Sequence, residues 1–331
     1  MKNKTLKRIL FSLLVVVLAF FLLICTPRLW SVLNPEKPPV GYRFMLPTYI
    51  AVGIGLEKLV NTTPEIPESI EEIKNIEYKN VNGKSLQFDM YKPKNLVKPA
   101  PLLVFIHGGG WTGGKRSDYL VYLLAFAQKG YMTATVSYRL VKDSIYPACA
   151  EDITDAVKWL FKNGDTYGYD PDRIALIGGS AGGHLALLAA YGWQKHKADN
   201  DTSILPVGAH RLKAVVDLYG PADFTTEFAK NNFTVINFLG HTYKEAPELF
   251  TEVSPVHYLD KSDPPTMILH GTSDQTVPVS QSDELKEKLD SLGIPNVYIR
   301  LPFWPHTMDL DQRVNDYCKL KMNQFFEQYV K

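Results

Sequence analysis

Ile174-Ala175-Leu176-Ile177-Gly178-Gly179-Ser180-Ala181-Gly182 reads as a strand, a turn and the start of a helix within nine residues. Four apolar residues of buried-strand character run into Gly-x-Ser-x-Gly, and residues 181–191 continue with helical character. A turn this tight between strand and helix needs glycines around the serine. It leaves the serine Oγ exposed and the following backbone N–H directed at the same space. Apolar runs of similar length recur at 102–106, 132–137, 213–218, 266–269 and 297–301, separated by helical stretches at about 119–129, 149–163, 280–292 and 312–330. Strands buried on both faces and alternating with helices predict an α/β fold, a mostly parallel central sheet with helices on both faces. Residues 76–79 and 86–91 flank Asn82-Gly83 and predict a hairpin ahead of it. The chemistry is then expected at the carboxyl ends of the strands.

Three further segments meet that expectation. His107-Gly108-Gly109-Gly110-Trp111 follows the strand at 102–106. Consecutive glycines let backbone N–H groups approach a developing oxyanion, so Gly109, Gly110 and Ala181 are the expected donors. A serine hydroxyl needs an imidazole base, which in turn needs a carboxylate to fix its tautomer. Of the eight histidines, His306 in Trp304-Pro305-His306-Thr307 lies in a loop after the last strand and is the best base. His107 belongs to the glycine loop, His184 points along the helix behind Ser180, and His270 ends a strand and reads as structural. His196, His210, His241 and His257 fall in or near connections. Asp274, in the turn after the strand at 266–269, is the expected acid, with Asp223 as its rival. Ser180, Asp274, His306 is the chain order of α/β-hydrolases.

HGGGW (107–111), EDITDAVKWL (151–160), YGYDPDRIALIGGSAGGHLA (167–186), VDLYGPAD (216–223), DPPTMILHGTSDQTVPVSQS (263–282) and the late Pro305-His306 together resemble carboxylesterases of the α/β-hydrolase superfamily related to hormone-sensitive lipase. The nearest likeness is to the branch with bacterial feruloyl and acetyl-xylan esterases, over roughly residues 75–330. Gly179 stands where many such proteins carry an acid, and Thr307 where a glycine is common. The resemblance implies an α/β-hydrolase fold with a small lid, here at 221–263. It also implies a serine hydrolase acting through an acyl-enzyme on short-acyl, aryl or sugar esters, without cofactor or metal. Trp111 and Phe224 are expected against the substrate. An amidase or formamidase using the same triad, and a silent membrane-displayed binding protein, are the alternatives.

The chain has 331 residues, 45% hydrophobic and 21% charged, and a net charge of +1. That balance gives no global pull toward nucleic acid. Cys25, Cys149 and Cys318 lack C-x-x-C spacing, which argues against structural zinc and leaves a Cys149–Cys318 bridge open. Residues 9–25 are uncharged, and Lys2, Lys4, Lys7 and Arg8 precede them. This predicts a signal anchor through the lipid bilayer over residues 1–30, with the N-terminus inside and the catalytic part outside, and cleaved secretion as the alternative. Residues 31–69 are expected to be a linker with an apolar interfacial or lid helix, and 70–331 to be the catalytic domain. Oligomeric state is not legible.

Overall fold

The computed structural model describes residues 2–96, 98–192 and 212–331; His196 and His210 lie outside them. Among the described residues eight strands form one sheet in the order β1-β2-β4-β3-β5-β6-β7-β8. They are β1 (Ile70–Val81), β2 (Lys84–Pro93), β3 (Ala100–Ile106), β4 (Met132–Val136), β5 (Tyr169–Gly179), β6 (Ala214–Leu218), β7 (Thr266–Gly271) and β8 (Asn296–Leu301). β1 and β2 form the hairpin over Asn82-Gly83, and β2 runs antiparallel to β4. From β4 to β8 every pairing is parallel. The carboxyl ends of β3, β5, β6 and β7 therefore open on one edge of the sheet.

Each central strand serves two cores, because side chains alternate across a sheet. In β3, Leu102, Val104 and Ile106 join one cluster while Leu103 and Phe105 join the other. In β5, Ile174 and Leu176 face one way, Ala175 and Ile177 the other. The helices are α1 (Lys2–Leu33), α2 (Met45–Gly53), α3 (Leu120–Ala127), α4 (Ala148–Lys162), α5 (Gly164–Tyr167), α6 (Ala181–Ala190), α7 (Glu227–Lys230), α8 (Phe233–Leu239), α9 (Pro247–Glu252), α10 (Ser280–Leu292) and α11 (Gln312–Tyr329). α4, α6 and α10 cover the first face, α3 and α11 the second. Cys149 and Cys318 are unpaired thiols in these opposite cores, so the bridge left open by their number does not form.

The amino-terminal region departs from its expected division. α1 runs on to Leu33 with Pro27 inside it, so position 30 is no boundary. Proline costs a helix hydrogen bond, yet the helix continues, and Arg313, far along the chain, holds its end by donating to the Pro27 carbonyl at 3.3 Å and the Ser31 hydroxyl at 2.7 Å. A contact so distant in sequence leaves no local trace. Residues 31–69, expected as a linker with an apolar helix, carry α2 and are bonded to the rest of the protein. The Trp304 indole donates to the Pro39 carbonyl at 2.9 Å, Gly41 N–H to Pro302, Gln312 N–H to Lys58, and Val60 N–H to Leu310. α2 packs on α1 through Ala51, Ile24 and Tyr42, all buried.

At the centre of this contact Glu57 is buried. Arg313 grips it with two bonds of 2.7 and 2.6 Å, and the Tyr42 hydroxyl donates to it at 2.9 Å. Removing one partner of a buried pair strands the other charge, at a cost of about 3–5 kcal/mol. Arg313→Ala should therefore lower unfolding stability of the full chain by about that much. Adding Glu57→Gln should recover part of it. Denaturant melts in detergent check this, and an unchanged midpoint for Arg313→Ala rejects it.

Candidate active site

β5 ends at Gly179, α6 begins at Ala181, and Ser180 between them is held at φ +54°, ψ −123°. A non-glycine residue in that region is strained, and the turn is held by its surroundings. Ser180 N–H donates to the Leu218 carbonyl of β6 at 2.8 Å. A Cβ at Gly178 would lie 2.2 Å from the Gly182 backbone, and one at Gly182 would lie 2.0 Å from the Ile106 carbonyl. Only glycine fits at either position. The Ser180 Oγ is therefore presented at the sheet edge rather than buried.

His306, on the loop after β8, stands 2.9 Å from that Oγ through Nε2, and its Nδ1 lies 2.6 Å from Asp274 Oδ2. With the ring proton on Nδ1, the serine hydroxyl donates to the imidazole and the imidazole to the carboxylate. Asp274 sits in the turn after β7. Its Oδ1 accepts from the Thr276 and Val277 amides at 2.8 and 2.9 Å. A second imidazole, His270, lies 3.1 Å from Oδ2 and is itself fixed by Ser282 and the Val277 carbonyl. Burial pushes the Asp274 carboxyl up, but the hydrogen bonds from His270 and His306 and the Val277 amide outweigh it and hold the group well below the usual carboxylate range. Asp223, the rival acid, spends its Oδ1 on Thr225 in a local turn.

Gly109 and Gly110 have φ of +105° and +57° and line the cavity in front of Ser180. Their N–H groups, and that of Ala181, have no acceptor among the described residues. His184 and His107 are occupied elsewhere. Burial pushes His184 down to about 3, so it is neutral and accepts the Trp111 indole N–H at 3.2 Å. His107 is stacked on Tyr138, its ring centroid 4.3 Å away, and burial lowers its basicity too.

The cavity holds about 420 Å³. Trp111 lines it, stacked on Phe238 at 4.2 Å. Phe224 does not reach it. It is fully buried behind Trp111 and His184, so its expected contact with substrate is wrong. The short helices of the 221–263 segment need a core of their own, and Phe224, Phe238 and Phe250 form it. Phe228 and Val235 of that segment line the cavity instead. Several walls were not expected. Val60 and Thr62 come from the amino-terminal region, and Tyr219 and Asp309 lie beside His306, the Tyr219 hydroxyl donating to Asp309 at 2.6 Å. His270 was legible in principle, four residues before Asp274 at the same strand end. Among the described residues no group of three His, Cys, Asp or Glu side chains could hold a metal ion.

Comparison with known proteins gives concordant relatives. Residues 88–289 match the BD-FAE family. Esterase LipC of Mycobacterium tuberculosis is 32% identical over 67% of this chain and 57% of its own. Versiconal hemiacetal acetate esterase of Dothistroma septosporum is 30% identical over 67% of this chain and 70% of its own. The chain spans little more than half the length of the first curated relatives it matches. Among solved structures, a truncated carbohydrate esterase from gut microbiota superposes with a TM-score of 0.66, at 22% identity over 80% of this chain and 98% of its own. Thermogutta terrifontis esterase 2, phosphoramylated by tabun, superposes with a TM-score of 0.66, at 23% identity over 80% and 96%. At those identities the structures speak for the α/β-hydrolase fold alone.

Beneath the turn, Asp217 of β6 accepts from the Gly220 amide through Oδ1, while its Oδ2 has no partner among the described residues. Burial pushes this carboxyl up to about 7, against the pull of His270 and the Gly220 amide. A group raised on folding keeps a proton that the unfolded chain has lost, so stability should fall as pH rises from about 4 towards 7. The deficit stays constant above that window. Asp217→Asn removes the term, and its melting temperature should overtake the wild type at pH 8. Parallel pH slopes for the two proteins reject the assignment.

Proposed function

The chain belongs to the BD-FAE family, and from that membership we propose that it is a serine carboxylic-ester hydrolase acting through an acyl-enzyme on short-acyl or aryl esters, sugar esters among them. The observation that carries this reading is the unbroken chain of bonds from Ser180 Oγ through His306 to Asp274, 2.9 and 2.6 Å long, at the mouth of a cavity. Ser180 attacks the ester carbonyl while His306 takes its proton, and His306 returns that proton to the departing alcohol. Water, deprotonated by the same imidazole, then releases the acid. Asp274 orients the ring and stabilises the imidazolium. The free amides of Gly109, Gly110 and Ala181 receive the oxyanion, each such donor contributing about 2.7–4 kcal/mol in the transition state. LipC and the versiconal enzyme are named esterases, which agrees with this chemistry.

Acyl size follows from the walls. A cavity of about 420 Å³ closed by Trp111, Phe228 and Val235 suits a short or aromatic acyl group better than a long chain. We also read α1 as a single-pass anchor with the N-terminus inside. It is the one helix among the described residues long and apolar enough to cross a membrane.

Ser180→Ala should fold normally, lose labelling by a fluorophosphonate, and retain only a background on the order of 10³–10⁴ over water. On a chain-length series, acetate and butyrate esters should be turned over faster than esters of ten carbons or more. Residual activity of Ser180→Ala above a few per cent, or a long-chain optimum, counts against the reading. For the acid, Asp274→Asn should lower kcat by about 10⁴, and Asp223→Asn far less. The reverse ranking, in variants shown to be folded, would move the acid to the turn after β6.

A further inference from the structure

α1 as a whole is long enough to cross a bilayer, but the stretch of it that is exposed on every side is shorter than the hydrocarbon it would span. Residues 4–23 face solvent, and Ile24 is the first side chain buried against the rest of the protein. Lys4, Lys7 and Arg8 fall at its start, so the exposed uncharged part is residues 9–23. At 1.5 Å per residue it rises about 22 Å, against roughly 30 Å of hydrocarbon. Such a deficit is met by snorkelling basic residues, local thinning or immersion of whatever flanks the short side. The flank here is fixed rather than mobile, because Arg313 bonds to Pro27 and Ser31 and Ile24 packs against Tyr42 and Ala51.

What lies at that level is apolar. α2 packs against α1 at Ile24 through Ala51, and Phe44, Leu46, Tyr49 and Ile54 around it are all exposed. Trp30, on the open side of the docked stretch, is exposed as well. Tyrosine and tryptophan at such a height are what a membrane interface favours. From α2 the chain leads directly to the cavity. Glu57 N–H still bonds to Ala51 in α2, and Val60, three residues on, lines the cavity beside Leu310, to which it is hydrogen-bonded and which is itself half exposed.

We propose that the exposed face of α2 rests in the bilayer surface beside α1, and that the cavity, its Val60–Leu310 rim set at that surface, takes esters whose alcohol half is anchored in the lipid. This deepens the esterase reading and rests on it. The acyl half remains short, held by Trp111 and the lid. The alcohol half is an amphiphile that never has to leave the membrane.

The full chain is reconstituted into phosphatidylcholine vesicles. A spin label at Tyr49→Cys, in a Cys25→Ala background, should be more accessible to oxygen than to a water-soluble nickel reagent. The same label at Glu287→Cys on α10 should show the opposite ratio. Two acetate esters are then compared, soluble p-nitrophenyl acetate and hexadecyl acetate dissolved in the vesicles. The triple variant Leu46→Ser, Tyr49→Ser, Ile54→Ser should keep the soluble rate within about twofold and lose tenfold or more on the vesicle-borne ester. A water-exposed label at position 49, or equal effects on the two esters, overturns the proposal. If the wild type hydrolyses neither ester and Ser180 takes no fluorophosphonate, the esterase reading fails and the substrate assignment with it, and label depth alone then decides how α2 sits.

Discussion

The closeness of the β5–α6 turn to β3 is the constraint on which the site depends. Gly182 lies so near the Ile106 carbonyl that no side chain fits, and Gly178 is equally pressed against Gly182. That contact forces Ser180 into a left-handed backbone and brings the glycine loop after β3 beside it. One crowded point thus sets both the exposed Ser180 and the glycine loop that faces it. The strain is held by the bond from Ser180 N–H to Leu218 and by α6, whose buried residues lock the turn into the core.

Charge at the site is organised by hydrogen bonding rather than by solvent. Asp274 is buried and would on that account resist ionisation, yet two imidazoles and two backbone amides converge on it. Neutral His184 and shielded His107 leave His306 as the histidine of the cavity wall in contact with serine. Asp217 is the contrasting case, a carboxyl with one amide for company and an orphaned oxygen. Asp217 lies on β6 and Asp274 in the turn after the neighbouring β7, and the partners each finds set them apart.

The sheet, its helices and the Ser180, Asp274, His306 set were legible because each is written locally. A run of four to six apolar residues followed by turn chemistry marks a strand end, and strand ends are where these three residues lie. Phe224 was misread because an aromatic in a lid can serve substrate or the lid's own core, and sequence spacing does not distinguish the two. The grip of residues 39–60 on the loop around His306 was invisible for another reason. It consists of backbone bonds such as Val60 to Leu310 and one ion pair, Glu57 with Arg313, across more than two hundred residues. Neither has a periodicity, and a single glutamate ending an apolar run looks like ordinary surface.

The two thiols on opposite sides of the sheet carry a consequence for where the chain can mature. Cys149 and Cys318 are fully enclosed, and burial raises both well above the ordinary thiol range. Thiolate is the form that oxidises and exchanges, so neither is a substrate for oxidants or isomerases once the core has closed. The catalytic fold is redox-indifferent. Once folded, its two core thiols are equally shielded in a reducing or an oxidising compartment.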